Sequence, residues 1–211
     1  KRYLKIGYFP FASRFSDDIQ IYQGIENIVQ KTIYEDIATL HSIKTPTLLV
    51  IEKLFQYIVC SEPGELSAYK LASALSKDYE SIVTYIRYLE QAGLIRTLHR
   101  KQVGKAILKN PAKLYPDNAN LVYAGLLSQP ESTLIGKVRE TFVINQLQSA
   151  GLQVHYTEQG DFKCEAYTLE VGGKNKTQKQ IKNVNNAYIL ADGILTGLNN
   201  KLPLYLLGFL S

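Results

Sequence analysis

The sequence contains no methionine and no tryptophan, and its only cysteines are Cys60 and Cys164. Without a methionine even at position 1, the chain reads as a stretch of a longer protein. The two cysteines stand far apart in apolar company, which predicts buried free thiols rather than a disulfide. Together with three scattered histidines, His41, His99 and His155, they give no zinc-ligand spacing. Long apolar runs are also missing. The strongest, "PTLLVIEKLFQYIVC", is interrupted by Glu52, Lys53 and Gln56 and falls short of a membrane span. The opening "KRYLKIGYFPF" lacks the sustained apolar core and small-residue cleavage site of a secretory signal. These absences point to a cytoplasmic protein with no membrane partner.

Acidic residues are absent from two windows. Between Gln91 and Pro116 there is none, while Arg96, Arg100, Lys101, Lys105, Lys109 and Lys113 all fall there. Between Val171 and Ala191 there is again none, against Lys174, Lys176, Lys179 and Lys182. The net charge of +5 is modest, but two basic patches suit a polyanion as well as they suit a solvated surface.

With 211 residues, 45% hydrophobic and 20% charged, the chain can bury a core as one large domain or two small ones. Ile25, Ile28, Val29, Ile33 and Ile37 recur at three- and four-residue spacing, so residues 1–44 read as an N-terminal helical segment. Pro46 marks the break that follows. Residues 45–127 read as helix, short helix, helix and basic hairpin, the order of a winged helix-turn-helix. Leu48, Ile51, Leu54, Phe55 and Ile58 line the first helix of this unit. Ser67 and Ser76 are the expected N-caps of the next two, and Gly93 closes the last. Residues 131–211 read as a long helix ended by Gly151, then "LQVHYT", "DFKC", "YTLEV" and "AYIL" as strands. "TQKQIKNV" is expected as a helix before the last of these, and "LPLYLLGFL" as a closing strand. The fold class is therefore mixed α/β.

The stretch "LEVGGKNKT", residues 169–177, invites three readings. A Walker loop fails, because Thr168 stands where its first glycine belongs and Asn175 where a hydroxyl should follow Gly173-Lys174. A metal site is the second. Strand alternation places Glu170 on an open face, and a hairpin around Glu165-Ala166 sets Cys164 against Tyr167, Lys163 against Thr168 and Phe162 against Leu169. Asp161 then falls opposite Glu170. Two opposed carboxylates invite a divalent cation such as magnesium or manganese, able to polarise a phosphate. A plain Gly-Gly turn is the third reading, compatible with the second.

The order of winged helix, "ESTLIGKVRETFVINQL", "YTEQGDF", "LEVGGKNKTQKQI" and "LPLYLLGFL" resembles the C-terminal region of a group of bacterial AAA-type ATP-binding proteins. "YLKIGYFPF" looks like the stretch that follows their ATPase core. The resemblance covers nearly the whole chain and implies a winged helix joined to a restriction-endonuclease-like domain of the PD-(D/E)XK class. It implies ATP only in a core outside this chain. It places a helix acid at Glu140, the metal acid at Asp161 and the strand acid at Glu170. The pattern's lysine, two residues after the strand glutamate, is replaced by Gly172. Lys174, or else Lys176, is expected to swing back in its place, and a lysine on a glycine hinge is poorly preorganised. Active nuclease and silent relative both stay open.

On the helix after Lys77, the stripe Lys77, Ser81, Thr84 and Tyr88 lies off the apolar face. With Arg100, Lys101 and Lys105 of the wing it forms the candidate DNA surface. Asp78 and Glu80 in the first helical turn oppose a phosphate backbone. The two expectations are a nucleic-acid-associated module with a nuclease-like site, and a non-catalytic module that couples the ATPase core to a protein partner or a homo-oligomer.

Overall fold

Asp17 opens the first helix by accepting a hydrogen bond from the Ile19 N–H at 2.9 Å, which satisfies one of the orphan donors of a helix start. In the computed structural model, which describes residues 2–62, 68–101 and 111–210, helix α1 (Asp18–Lys31) continues through a π-helical stretch (Thr32–Ile37) into α2 (Ala38–His41). Ile21, Ile25, Val29, Ile33 and Ile37 are buried along it, one every four residues. Ile28, expected on the same face, is only half-buried. A spacing of four overshoots the α-helical turn of about 3.6 residues, and the wider π turn brings the stripe back into phase.

The chain forms two compact units, Lys1–Thr97 with Lys113–Leu134 and Leu98–Ala112 with Ile135–Ser211. In the first, α3 (Thr45–Cys60) carries Pro46 in its first turn and buries Leu48, Ile51, Leu54, Phe55 and Ile58 as the spacing predicts, with Val59 added. α4 (Ala68–Ala74) packs on α5 (Tyr79–Gln91), burying Leu71 against a face made of Ile82, Ile86 and Leu89. The cap of α5 is Asp78, which accepts from the Ser81 N–H at 2.8 Å, and not Ser76, whose φ of +50° takes it out of capping geometry. Ser67 lies outside the described residues. Gly93, at φ +71°, ends α5 in a Schellman turn: its N–H donates to Glu90 O and the Leu94 N–H to Leu89 O, both at 3.0 Å.

Asn120, on α6 (Ala119–Gly125), anchors the N-terminal segment to this unit. Its carboxamide oxygen accepts from the Tyr8 N–H at 2.8 Å, and its NH2 donates to Tyr3 O at 3.0 Å and Leu4 O at 2.8 Å. The side chain is buried, so all three groups depend on it.

Helix α7 (Glu131–Ser149) buries Leu134, Val138, Phe142 and Leu147, and also Lys137, Thr141 and Asn145 on other sides. Seven strands follow one another in a mixed sheet of order β2-β1-β3-β4-β5-β6-β7. They are β1 (Ile95–Arg100), β2 (Lys113–Pro116), β3 (Val154–Tyr156), β4 (Phe162–Cys164), β5 (Tyr167–Gly173), β6 (Ala187–Asp192) and β7 (Lys201–Pro203). β1 pairs with β3 in parallel, β3-β4-β5 is an antiparallel meander, and β6 and β7 run parallel to β5.

Two expected elements differ. The helix at "TQKQIKNV" is only a 3-10 turn, Lys179–Ile181, because Asn183, Asn185 and Asn186 follow, and Asn186 adopts φ +55°. The closing strand stops at Pro203, which has no N–H to extend a ladder, and the chain turns into a 3-10 helix, Leu204–Phe209. Cys60 is exposed, against expectation, while Cys164 is buried. Burial pushes the Cys164 thiol above its ordinary pKa, and the Glu165 carboxylate adds to the shift.

Asn120→Ala leaves three backbone groups without their partner, and an expected loss of about 3 kcal/mol in unfolding free energy is read from the denaturant midpoint. A wild-type-like midpoint shows the anchor to be dispensable. Thiol titration with a disulfide reagent at neutral pH is expected to show one fast thiol, Cys60, and a second that reacts only on unfolding.

Candidate functional site

The hairpin register is the one the alternation predicts: Phe162 pairs with Leu169, Lys163 with Thr168 and Cys164 with Tyr167. The Asp161 N–H donates to Leu169 O at 2.9 Å, so Asp161 lies at the next position, opposite Glu170. β4 ends there, and the Val171 N–H on that side has no further strand to pair with. Asp161 supplies the missing acceptor, taking that hydrogen bond on Oδ2 at 2.7 Å. One carboxylate oxygen of Asp161 is thus committed to the β5 backbone.

Glu170 does not face open solvent. It is 0% exposed, and its strand is buried on both sides, with Thr168 closed off on the Glu170 side and Leu169 and Val171 on the other. The alternation placed Glu170 correctly within the strand. The open face was wrong because β5 lies inside the sheet, between β4 and β6.

A carboxylate so enclosed requires a cation, and Lys176 provides it. The Lys176 ammonium forms an ion pair with Glu170 Oε1 and donates to Gln180 Oε1 at 3.2 Å. A tight turn brings it there, closed by the Lys176 N–H donating to Gly173 O at 2.9 Å. The lysine stem then crosses the bare Cα of Gly172, where an added Cβ would come within 2.6 Å of Lys176 Cγ and 2.7 Å of its Cβ and Cδ. Gly172 is glycine because Lys176 occupies its side-chain space. The stretch is a turn, and the turn's product is a lysine set on a buried glutamate.

Lys174 takes no part in that contact. Its side chain is exposed and its carbonyl accepts from Lys201 Nζ at 2.6 Å. From α7, the side chain laid against the strand ends is Arg139. Its Nε and Nη2 donate to Asp192 Oδ2 at 3.1 and 2.9 Å, and its Nη1 lies 3.4 Å from where a Gly173 Cβ would be. Glu140, the next residue, is half-buried. Lys176, Arg139 and Asp192 are what residue spacing missed or ranked second. The legible signals were the acid ending "AYILAD" and the glycine pair that lets a cation approach.

Among the described residues no group of three or more His, Cys, Asp and Glu side chains is placed to hold a metal ion. The donors on hand are one oxygen of Asp161 already hydrogen-bonded and a Glu170 already neutralised. As arranged, they do not fit a divalent cation.

The expected nucleic-acid stripe is partly taken up by structure. Ser81 donates from its hydroxyl to Asp78 Oδ2 at 2.6 Å as well as from its N–H, and these bonds hold the Asp78 carboxyl below its ordinary pKa. Its negative charge at the start of α5 is therefore permanent near neutral pH. Tyr88 stacks on His41 with centroids 3.8 Å apart. Thr84 is half-buried, and Lys77 is exposed but precedes the helix. In the other unit, the Arg100 guanidinium lies 4.2 Å from the Tyr156 ring centroid and 3.7 Å from Glu158 Oε1. Lys101 is exposed. Lys105 lies outside the described residues.

Residues 1–129 match the family profile described as a domain of unknown function, DUF8612. An uncharacterised protein of Methanocaldococcus jannaschii, MJ1637, is 29% identical over 96 residues, covering 45% of this chain and 20% of that protein. The chain thus spans about a fifth of that relative's length. No solved structure matches. The family segment ends before Asp161 and Glu170, so it covers the helices and the β1 and β2 strands but not the ion-paired site. Matched over more than half its length, the chain belongs to the DUF8612 family.

Proposed function

We propose that this chain is a non-catalytic module of a larger AAA-type ATPase, in which a nuclease-like site survives in outline and is held shut by its own lysine. The observation that carries this reading is the Lys176 ammonium seated on a fully buried Glu170. A divalent ion and an ammonium compete for the same carboxylate. A metal here must displace Lys176, open Glu170 to water and recruit Asp161 away from the Val171 N–H. Each step costs an interaction the fold already has. The ATPase partnership rests on the resemblance of the element order and of the "EVGGKNKT" stretch, and the ATP chemistry belongs to a core outside this chain.

A nucleic-acid contact remains part of the proposal, assigned to Arg100 and Lys101 in the acid-free window and not to the α5 stripe. Ser81 and Tyr88 are occupied, and the permanent charge of Asp78 repels phosphate at the helix start.

Thermal melting of the full chain in millimolar magnesium or manganese is expected to give an unchanged midpoint, and supercoiled DNA is expected to stay intact. Metal-dependent stabilisation abolished by Asp161→Asn would establish an ion site and overturn the closed-site reading. Lys176→Met strips the buried glutamate of its cation, and Gly172→Ala evicts the lysine stem. Each is expected to cost about 3 kcal/mol, and the double variant much less than the sum, because both break the same pair. Duplex DNA binding, followed by anisotropy, is expected to weaken steeply between 50 and 200 mM salt (about the span over which phosphate contacts are screened). It should be lost in the double variant Arg100→Glu, Lys101→Glu and kept in Thr84→Ala. Binding that survives the charge reversal excludes this surface.

A further inference from the structure

Most half-buried or buried carboxylates of this chain that bear on its packing have a cation of their own. Asp117 is paired with Arg96 at 2.9 Å, Asp192 with Arg139 at 2.9 Å, and Glu170 with Lys176. Glu52, half-buried on α3, is different. Gln30 Nε2 donates to its Oε1 at 2.7 Å and the Tyr34 hydroxyl to its Oε2 at 2.6 Å. Both donors are neutral, and among the described residues no lysine or arginine forms an ion pair with it. The Tyr34 phenol is held above its ordinary pKa, first by this hydrogen bond and then by burial, so it stays protonated and keeps donating throughout the neutral range. The carboxylate is locked in orientation, with a lone pair left on each oxygen.

Glu52 borders a cavity of about 280 Å³ within the first unit, enclosed by α1, α3 and α6. Its walls are apolar, with Ile25, Val29, Phe55 and Leu121 buried around it. Its mouth is polar and carries a second carboxylate, Glu26, with Gln30 and Gln56. No lysine, arginine or histidine lines it. In a chain of net charge +5, this is a local reversal of sign. An apolar chamber with one preorganised, unneutralised carboxylate is the arrangement that recognises a cation on a hydrophobic body.

We propose that this cleft binds a small organic monocation, an amine or amidine on a compact aromatic or aliphatic body. The cationic group takes the two free lone pairs of Glu52, and the body lies against Phe55, Ile25 and Leu121. Glu26 adds attraction at the mouth, and Tyr34 and Gln30 act as positioning residues that hold Glu52. The volume lies at the small end for ligand sites, which excludes nucleotides and other large ligands. The inference is independent of the Glu170 site, which lies in the other unit.

The test uses benzamidine and phenethylamine as probes, with benzamide and benzoate as neutral and anionic counterparts, titrated into the full chain by calorimetry or NMR. Both cations are expected to bind, with benzamide and benzoate at least about tenfold weaker. Glu52→Gln is expected to weaken benzamidine by about tenfold while leaving the melting midpoint near wild type. Cys60 lies at the cleft and is exposed, so saturating benzamidine should slow its alkylation by iodoacetamide. Tyr34→Phe, which removes one fixed donor without touching the ligand, should lower the preference for benzamidine over benzamide and leave benzamide unchanged. Absence of cation binding at millimolar concentration overturns the proposal. So does equal affinity for benzamide, an unchanged affinity in Glu52→Gln, or binding that leaves Cys60 alkylation unaffected. Should Glu52→Gln fail to fold, an unchanged preference in Tyr34→Phe overturns it equally.

Discussion

A glutamate with no exposed surface must be neutralised within the fold, and the Glu170–Lys176 pair constrains everything around it. It requires β5 to sit inside the sheet, since only there is Glu170 enclosed on its own face. It requires position 172 to lack a side chain, because the lysine stem passes through that space. It requires the turn from Gly173 to Lys176 to close, because six residues of open chain would not return the ammonium to the strand. Breaking one member leaves a buried charge unpaired, which is far costlier than losing a surface ion pair. The pair also decides the chemistry. A carboxylate already satisfied by an ammonium is a structural element first, and it can act on a phosphate only after the lysine leaves.

Much of this was legible in the residues because the governing signals are local and periodic. The buried stripes of α1 and α3, the glycine stop of α5 and the β4–β5 register follow from spacing and turn chemistry alone. The opposition of Asp161 to Glu170 follows from that register. Other features were not legible, since they depend on what covers a strand rather than on the strand itself. Whether Glu170 faced solvent depended on β6 lying beside β5, a pairing between residues distant in sequence. Which lysine reached Glu170 depended on the closure of one turn, and both candidates lie within the same "GGKNKT". The N-cap of α5 was misplaced by two residues because Ser76 and Asp78 are both good capping types, and backbone geometry chose between them. The closing strand failed at Pro203, where the lost donor outweighed the apolar pattern.

The two units use acidic residues in opposite ways. In the sheet-bearing unit, Asp161, Glu170 and Asp192 are tied to a backbone N–H, a lysine and an arginine. They hold strand ends in place and present little free negative charge. In the helical unit, Glu52 is steadied by neutral donors only and keeps its charge directed at a cavity. The net positive charge of the chain therefore conceals an uneven field, with its best-exposed negative group inside a cleft and not on the surface. A cation is drawn to one place and a polyanion to another, with no competition between them.

The π-helical stretch between α1 and α2 has a consequence for which changes in length the chain can tolerate. His41 meets Tyr88 face to face only because the wide turn over Thr32–Ile37 sets the rotational phase of everything after it. Losing one residue from that turn would restore regular α-helical winding and rotate the following residues by about 100° around the axis. Ile37 would swing out of the interior and His41 away from its stacking partner. Length in this segment is therefore more tightly constrained than side-chain identity, and related chains should tolerate substitutions there far more readily than gaps.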